Sequence, residues 1–551
     1  MEDGTSFSSS NIDPRSGFHH ASRTFHSLRP PLHLPPPNAT VSAAAYTISL
    51  RRNSPWPDSV TALIDSATGH RLSYAEFIHH VETLASNLTS ILKLSKGDTA
   101  LVLSHNLMQV PILCLALLSI GVIVSPANPL STRSDLTRVF HLSKPVIIFA
   151  ATSVAAKTHE LPNLRLGTVF LDSPEFDSLM RTRKTSGLEA RVKVSQSDVA
   201  AILYSSGTTG NVKGVMLTHR NLTALAVGYD AVREERKEPP VFLYTMPFFH
   251  VYGFTFSLRA MVLSETVVIM ERFRFREMLR AVERFRVTNI AMVPPLVVAL
   301  TKDGVTDGYD LTSLVGIACG AAPLGKETAE AFKSKFPGVV IIQGYGLTES
   351  TAGVARSTNE EIDRVGTTGR LSADVEAKIV NPNTGEAMLP GQQGELWIRG
   401  PTIMKGYAGD PEATSATLVD GWLRTGDLCF FDDEGFLYVV DRLKELIKYK
   451  GYQVAPAELE QLLHSHPEIK DAAVIPYPDE EAGQVPMAFV VRQPQSSLGQ
   501  AEIINFVAKQ VAPYKKIRRV AFIDSIPKNA AGKILRKNLH KLALQTSYPR
   551  L

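Results

Sequence analysis

Apolar and polar positions along the chain switch between two periods. Residues 200–204 and 339–342 are short apolar runs of strand length, and residues 326–335, KETAEAFKSK, space their apolar positions as a helix does. Their alternation predicts an α/β fold. The most apolar stretch, VPILCLALLSIGVIVSPANP from Val110, is uncharged, but Pro111 and Pro126 bracket a run shorter than the ~20 residues a membrane span needs. It predicts a buried helix, a break at Gly121 and a strand, with no transmembrane segment. Further on, DVAAILY and VMLTH predict two strands, and Thr218 is placed to cap a helix over RNLTALAVGYDAV.

The pattern also divides the chain. Up to about Thr40 the sequence is rich in Ser, His and Pro, includes LRPPLHLPPPN, and predicts an extended, poorly packed arm. Near Asp441 short strands and turns (DDEGFLYVVD) give way to a lysine-dense helix-and-strand pattern large enough to fold alone. The expected organisation is an arm over 1–54, a large domain over 55–440 and a small domain over 441–551. No repeat of solenoid period is visible.

Composition narrows the function classes. In 551 residues, 44% are hydrophobic, 20% are charged and the net charge is +4, so nothing implies a nucleic-acid or anionic-membrane surface. A small anionic ligand stays open. Cys114, Cys319 and Cys429 lie far apart, without metal-ligand spacing or the even count of a disulfide framework, and predict buried small residues in a reducing compartment. The opening MEDG lacks the apolar run of a secretory signal, so the sequon at Asn87 is expected to go unused.

The chemistry concentrates between the strands of DVAAILY and VMLTH. The connection YSSGTTGNVKGV offers Ser205, Ser206, Thr208 and Thr209 as hydroxyl donors, and Gly207, Gly210 and Gly214 let its backbone approach a ligand. Successive backbone N–H groups in such a turn make an anion nest, so phosphate is the natural ligand. A Walker A loop is disfavoured: Gly214 follows Lys213, the glycine spacing differs, and no helix begins at once.

This stretch resembles the phosphate-binding signature of the adenylate-forming superfamily: acyl-CoA synthetases, firefly-type luciferases and peptide-synthetase adenylation domains. CGAAPLGKE, QGYGLTES, GWLRTGDL, VVDRLKELIKYKGYQVAPAELE and IPKNAAGKILRK follow in the order that resemblance requires. DPRSGF, RPPLHLP, PFFHVYGF and the unbroken KYKGYQVAPAELE are most similar to plant 4-coumarate:CoA ligases and their ligase-like relatives. The resemblance implies a large domain of stacked α/β sheets with a distorted β-barrel, and a small mobile α+β domain. The implied activity is carboxylate–CoA ligation: ATP and an acid give an acyl-adenylate, whose acyl group passes to CoA, with Mg²⁺ assisting.

Roles follow by position. The resemblance assigns the nucleotide to Ser205, Ser206, Gly207, Thr208, Thr209, Gly210, Lys213, Gln343, Gly344, Tyr345, Gly346, Leu347, Thr348, Asp427, Arg442, Lys444, Lys448 and Gln453. Within that set Tyr345 resembles the adenine-stacking residue, Thr348 a phosphate contact, and Asp427 the acceptor of both ribose hydroxyls. Glu349 resembles the magnesium ligand. Lys533 resembles the lysine that faces the transferring phosphorus, and His250 the residue that positions the acyl carboxylate, which needs no general base at neutral pH. Arg272, Lys450 and Gly451 are implied for CoA. Asp441 matches the pivot about which the small domain turns between the half-reactions.

The acyl pocket is implied to be lined by Tyr252, Ala318, Gly320, Ala321, Gly344, Gly346, Ala352 and Gly353. Ala352 and Gly353 stand where the coumarate ligases carry Pro and Val, and Ala318 where they tend to carry Met. Smaller side chains imply a roomier pocket, so a fatty or oxylipin-type acid is expected ahead of a phenylpropanoid one. Pro549, Arg550 and Leu551 resemble the S-K-L address read by the peroxisomal import receptor, with the cytoplasm as the alternative. A monomer is expected. A luciferase-like oxygenase shares the adenylate signatures and is the rival reading.

Overall fold

The computed structural model describes residues 11–162, 164–182, 192–205, 212–302, 304–322, 324–450, 452–529 and 532–545. Two large sheets carry the α/β pattern. In one, the strands Val199–Ser205, Ile123–Ala127, Thr99–Leu103, Ile147–Ala150 and Thr168–Phe170 run parallel, with Lys213–Thr218 and Gly406–Tyr407 added antiparallel at one edge. In the other, Thr61–Asp65, Thr266–Ile269, Val241–Tyr244, Asn289–Met292, Gly316–Cys319 and Val340–Tyr345 form a parallel run closed by antiparallel edges. A third sheet is antiparallel and centred on Gly394–Arg399 and Trp422–Phe431.

The strongest sequence patterns fold as their periods dictate. Lys326–Lys335 is a helix, and Gln109–Ser119 is a buried one that ends before Gly121 at φ +71° and continues into the strand Ile123–Ala127. Thr218 caps the helix His219–Asp230, its hydroxyl accepting the Asn221 N–H. Asn87 is fully buried and donates to the Leu179 and Thr182 carbonyls, which leaves its amide no access to a glycosylating enzyme. All three cysteines are free and buried. No helix among the described residues is long and apolar enough to cross a membrane.

Residues 28–38, LRPPLHLPPPN, form no helix or strand and are exposed or half-buried, as their composition predicts, but the described parts of the arm on either side of them pack tightly. Phe18–His19 and Thr24–His26 pair as a small hairpin whose second strand joins Glu376–Val380. Phe18 and Phe25 are each 1% exposed, and Phe25 stacks on Phe431 at 4.2 Å between ring centroids. Ser42 then caps a helix, Ala43–Arg52, whose first two alanines are fully buried. Strands of two and three residues are too short to show a period, so Pro and Ser dominate the sequence signal while two buried rings supply the binding.

The small unit is a separate five-stranded sheet built on the hairpin Ile469–Asp479/Gly483–Arg492, with the helices Pro456–Ser465, Gln500–Ala508 and Arg536–Gln545 packed on it. Its first strand begins at Ile447. Asp441 and Arg442 still belong to the strand Leu437–Arg442, which pairs with Trp422–Phe431.

Candidate active site

The site forms where the two large sheets, the antiparallel sheet and the small unit converge. Ser205 and Lys213 stand opposite each other in antiparallel register, so the serine-, threonine- and glycine-rich connection is a strand-to-strand hairpin, as its sequence predicts. Ser206, Gly207, Thr208, Thr209 and Gly210 lie outside the described residues. Glu349 sits in the single turn Thr348–Ser350, just past the C-terminal end of the strand Val340–Tyr345 that carries Gln343 and Gly344. Ligands of open α/β sheets bind at such strand ends.

Glu349 is tightly held. One oxygen, Oε1, accepts the Ser205 hydroxyl at 2.9 Å and the Tyr407 hydroxyl at 3.0 Å, while its backbone carbonyl accepts the Met404 N–H. Lys213 places its ammonium 4.5 Å from the centroid of the Tyr407 ring. Burial, and then the Glu349 charge, raises the Tyr407 phenol well above the ordinary tyrosine range, so it donates at all working pH. Leu347 and Gly346 make the tight path between strand and turn. A Cβ on Gly346 would lie 2.2 Å from the Ala352 carbonyl oxygen, so only glycine fits.

Asp427 is 3% exposed and each of its oxygens has a partner. Oδ1 pairs with Arg442 Nε at 3.0 Å, directly across the strand pair, and Oδ2 accepts the Tyr345 hydroxyl at 2.6 Å. Burial raises its carboxyl, and Arg442 and Tyr345 pull it back toward the charged form. The Tyr345 ring is thereby fixed at the mouth of the strand that carries it. Lys444 has an exposed side chain by area, yet desolvation of its ammonium, with Arg442 and Lys533 opposing its charge, holds it down to about 8.

Lys533 comes from the small unit. Its loop closes on Asn529, which accepts the Lys533 N–H at 2.9 Å and the Gly532 N–H through its carbonyl, with Gly532 at φ +76°. Burial first, and Arg442 next, lower its pKa, while Glu445 and Asp427 support its charge. His250 caps the helix Val251–Leu263, its Nδ1 accepting the Tyr252 N–H at 3.3 Å. Burial, and then the Lys533 charge, hold this imidazole down to about 4. It is therefore neutral near pH 7, with its proton on Nε2 and free to donate.

Beyond His250 the helix Val251–Leu263 brings Tyr252 against the end of the strand Gly316–Cys319. Tyr252 donates its hydroxyl to the Ala318 carbonyl at 3.0 Å, and a Cβ on Gly320 would stand 3.7 Å from the Gly344 carbonyl oxygen and 3.9 Å from the Tyr252 ring. A Cβ on Gly353 would meet Leu225 at 3.1 Å. Ala321, Thr351 and Ala352 adopt left-handed φ of +70°, +54° and +62°, strained conformations for residues with a side chain. Such strain clusters at ligand clamps.

Several residues implied by sequence stand apart from this cluster. Lys448 and Gln453 are exposed on the hairpin Ile447–Tyr449/Tyr452–Val454, Lys450 pairs with Glu481, and Gly451 lies outside the described residues. Arg272 is exposed and meets His105 Nε2 at 3.1 Å. Tyr407 has no local sequence signal: its strand is two residues long, and its register opposite Val215, beside the Ser205–Lys213 hairpin, is a tertiary fact.

Among the described residues no group of three His, Cys, Asp or Glu could hold a metal. Glu349 alone, with Oε2 not engaged by Ser205 or Tyr407, is a hard oxygen donor that suits Mg²⁺ shared with phosphate oxygens.

Comparison with known proteins shows the family. Residues 51–408 match the AMP-binding enzyme family and residues 458–533 match the AMP-binding enzyme C-terminal domain. The chain is 51% identical to 4-coumarate–CoA ligase-like 9 of Arabidopsis thaliana, covering 98% of both chains. It is 45% identical to peroxisomal OPC-8:0-CoA ligase 1 of the same plant, covering 98% of this chain and 99% of that one. The o-succinylbenzoate CoA synthetase of Bacillus subtilis, solved with its acyl-adenylate intermediate, superposes with a TM-score of 0.77 at 26% identity, over 92% of this chain and 99% of that chain. The same enzyme solved with ATP and magnesium ion gives 0.76 at 28% identity, over 90% and 99%. The chain belongs to the AMP-binding enzyme family and is an AMP-forming acid–thiol ligase.

Proposed function

We propose that the protein activates a fatty or oxylipin-type carboxylic acid as its adenylate and transfers the acyl group to CoA. The observation that carries this reading is the buried Asp427 carboxylate, set between Arg442 and Tyr345 with Lys533 beside it: an acceptor for a vicinal diol next to a cation for a phosphate. On this reading the nucleotide's ribose meets Asp427, its adenine lies on Tyr345 and the wall from Gly320 to Ala322, and its phosphates enter the hairpin after Ser205.

The neutral His250 donates from Nε2 to one oxygen of the acid, which orients the other toward the α-phosphorus. That oxygen attacks, and the bond to the pyrophosphate leaving group breaks. Negative charge grows on the phosphoryl oxygens, and the Lys533 ammonium stabilises it more in the transition state than in the ground state. Glu349, held by Ser205 and Tyr407, would hold magnesium, which neutralises phosphate charge. The CoA thiol then attacks the mixed anhydride at the acyl carbon, and AMP leaves.

The small residues Ala318, Ala352 and Gly353 support a long acyl chain over a compact aromatic acid. The Pro549–Arg550–Leu551 address and the peroxisomal relative support a peroxisomal location. A panel of carboxylic acids supplied with ATP, magnesium and CoA, assayed for AMP, thioester and oxygen uptake, tests the reading. Thioester formed in step with AMP, best with long-chain acids, is the expected result; oxygen uptake without thioester would favour the luciferase-like rival.

A further inference from the structure

Arg356 is a cation that makes no ion pair among the described residues, and it stands beside Gly344. It sits in the strand Ala355–Arg356, directly opposite Gly344, and a Cβ on Gly344 would lie 3.8 Å from the Arg356 Cβ, so the two share a face. Arg29, Tyr229, Arg259 and Glu361 are the groups nearest its charge. Tyr229 belongs to the helix His219–Asp230, and Arg259 lies two turns past Tyr252 on the helix Val251–Leu263, about 10 Å further along its axis.

The neighbouring charges are already matched. Arg259 engages both oxygens of the buried Glu265, at 2.7 and 2.8 Å. Arg29 pairs with Glu361 at 3.1 Å and also donates to the Arg356 carbonyl, and Arg370 Nε stands 3.8 Å from the other oxygen of Glu361. Among the described residues the Arg356 guanidinium makes no ion pair and donates no hydrogen bond. Its burial is enough to hold its pKa down to about 10, yet it stays charged near neutrality. Arg356 is half-buried and none of its nitrogens is a fully buried orphan, so water reaches the guanidinium, and an acceptor oxygen on a ligand would take the place of that water.

We propose that Arg356 reads the far end of the substrate, selecting acids that carry a second acceptor oxygen, a carboxylate or a carbonyl, several methylenes from the reacting carboxylate. This rests on the ligase reading and narrows its substrate class. A guanidinium fork takes a carboxylate through two hydrogen bonds and a ketone through one. A plain alkyl terminus leaves it unsatisfied, and a site that must hydrogen-bond its ligand discriminates against an analogue lacking the acceptor far better than an apolar pocket counts methylenes.

The test compares octanoate, 7-oxooctanoate and octanedioate on the full chain, by thioester formation and, separately, by calorimetric binding in the presence of a non-hydrolysable ATP analogue. Arg356→Met is expected to lower kcat/KM for the two oxygenated acids about tenfold or more, mainly through KM, and to leave octanoate within about twofold, the scale of one hydrogen bond to a charged group. Arg356→Lys should recover part of the loss for octanedioate, and Arg356→Gln gives the same reading if the Met variant does not fold. Equal losses on all three acids, or none on the oxygenated pair, would overturn the assignment. Should no acid yield thioester, the fatty or oxylipin-type substrate class fails, and calorimetry still decides whether Arg356 selects the oxygenated ligands.

Discussion

Tyr407 shows how one hydroxyl can govern a neighbouring carboxylate. With Ser205 it donates to a single oxygen of Glu349, and the Lys213 ammonium over its ring ties the Ser205–Lys213 hairpin to the same point. Tyr407→Phe keeps the ring and the cation contact and removes only the donor, so Glu349 should turn more freely. The magnesium concentration giving half-maximal pyrophosphate release should rise several-fold to about tenfold, the scale of one hydrogen bond to a charged group, with the melting temperature little changed. An unchanged magnesium dependence would show that Ser205 alone fixes the carboxylate. Glu349, Asp427 and Lys533 were legible in sequence because each sits in a long signature whose spacing is informative. Tyr407 and Arg356 were not, because what singles them out are relations between residues distant in the chain: the contact with Glu349 for one, the lack of an ion pair among the described residues for the other.

Elements were legible in proportion to their length. The helices Lys326–Lys335 and His219–Asp230 and the strands of the Ser205–Lys213 hairpin have enough residues for a period to emerge, whereas the hairpin of Phe18 and Phe25 does not. The contact between the helices Ala43–Arg52 and His219–Asp230 gives a pH test at this scale. His219 is fully buried and its Nδ1 accepts the Ala43 N–H at 3.1 Å, so the fold requires the neutral ring. Burial holds its pKa down to about 4, against about 6.5 for an unfolded histidine. With the folded value depressed, the unfolded chain binds more protons between those values. This contribution to stability is complete above pH 6.5 and is lost as pH falls toward 4, by on the order of 3 kcal/mol at its limit. His250, also held down to about 4, adds in the same direction. His219→Asn keeps an acceptor near Ala43 and removes the titration, so the urea midpoint should fall less between pH 7 and pH 4.5 than in the unaltered protein. Parallel falls would mean that His219 does not titrate in this range.

At the scale of the whole molecule the small unit is docked with Lys533 toward His250 and Asp427, while Lys450, implied for CoA, sits on Glu481 at the surface. If Lys450 serves CoA as its position implies, both cannot face one reaction centre at once, and the two half-reactions are predicted to use two positions of the small unit. The docked interface offers a way to hold one of them. A Cβ on Gly325, at the cap of the helix Lys326–Lys335, would lie 3.2 Å from Cγ of Gln461 on the helix Pro456–Ser465, and Gly325 has an ordinary φ of −63°. Gln461 Cβ, one bond of about 1.5 Å from that Cγ, stands within about 5 Å of the Gly325 Cβ position, close to the roughly 3.5–4.5 Å between the Cβ atoms of a disulfide. The native cysteines are buried, and burial pushes the thiols of Cys114 and Cys319 up to about 12, so they will not compete for oxidant. Gly325→Cys combined with Gln461→Cys should, once oxidised, still release pyrophosphate from ATP and acid in a single turnover. Thioester formation from a supplied acyl-adenylate should drop about tenfold or more and return on reduction, because a crosslink across a rigid-body interface removes only the step that needs rotation. If the oxidised protein makes thioester at the rate of the reduced one, the small unit need not move, and the CoA thiol must reach the adenylate with Lys533 still in place.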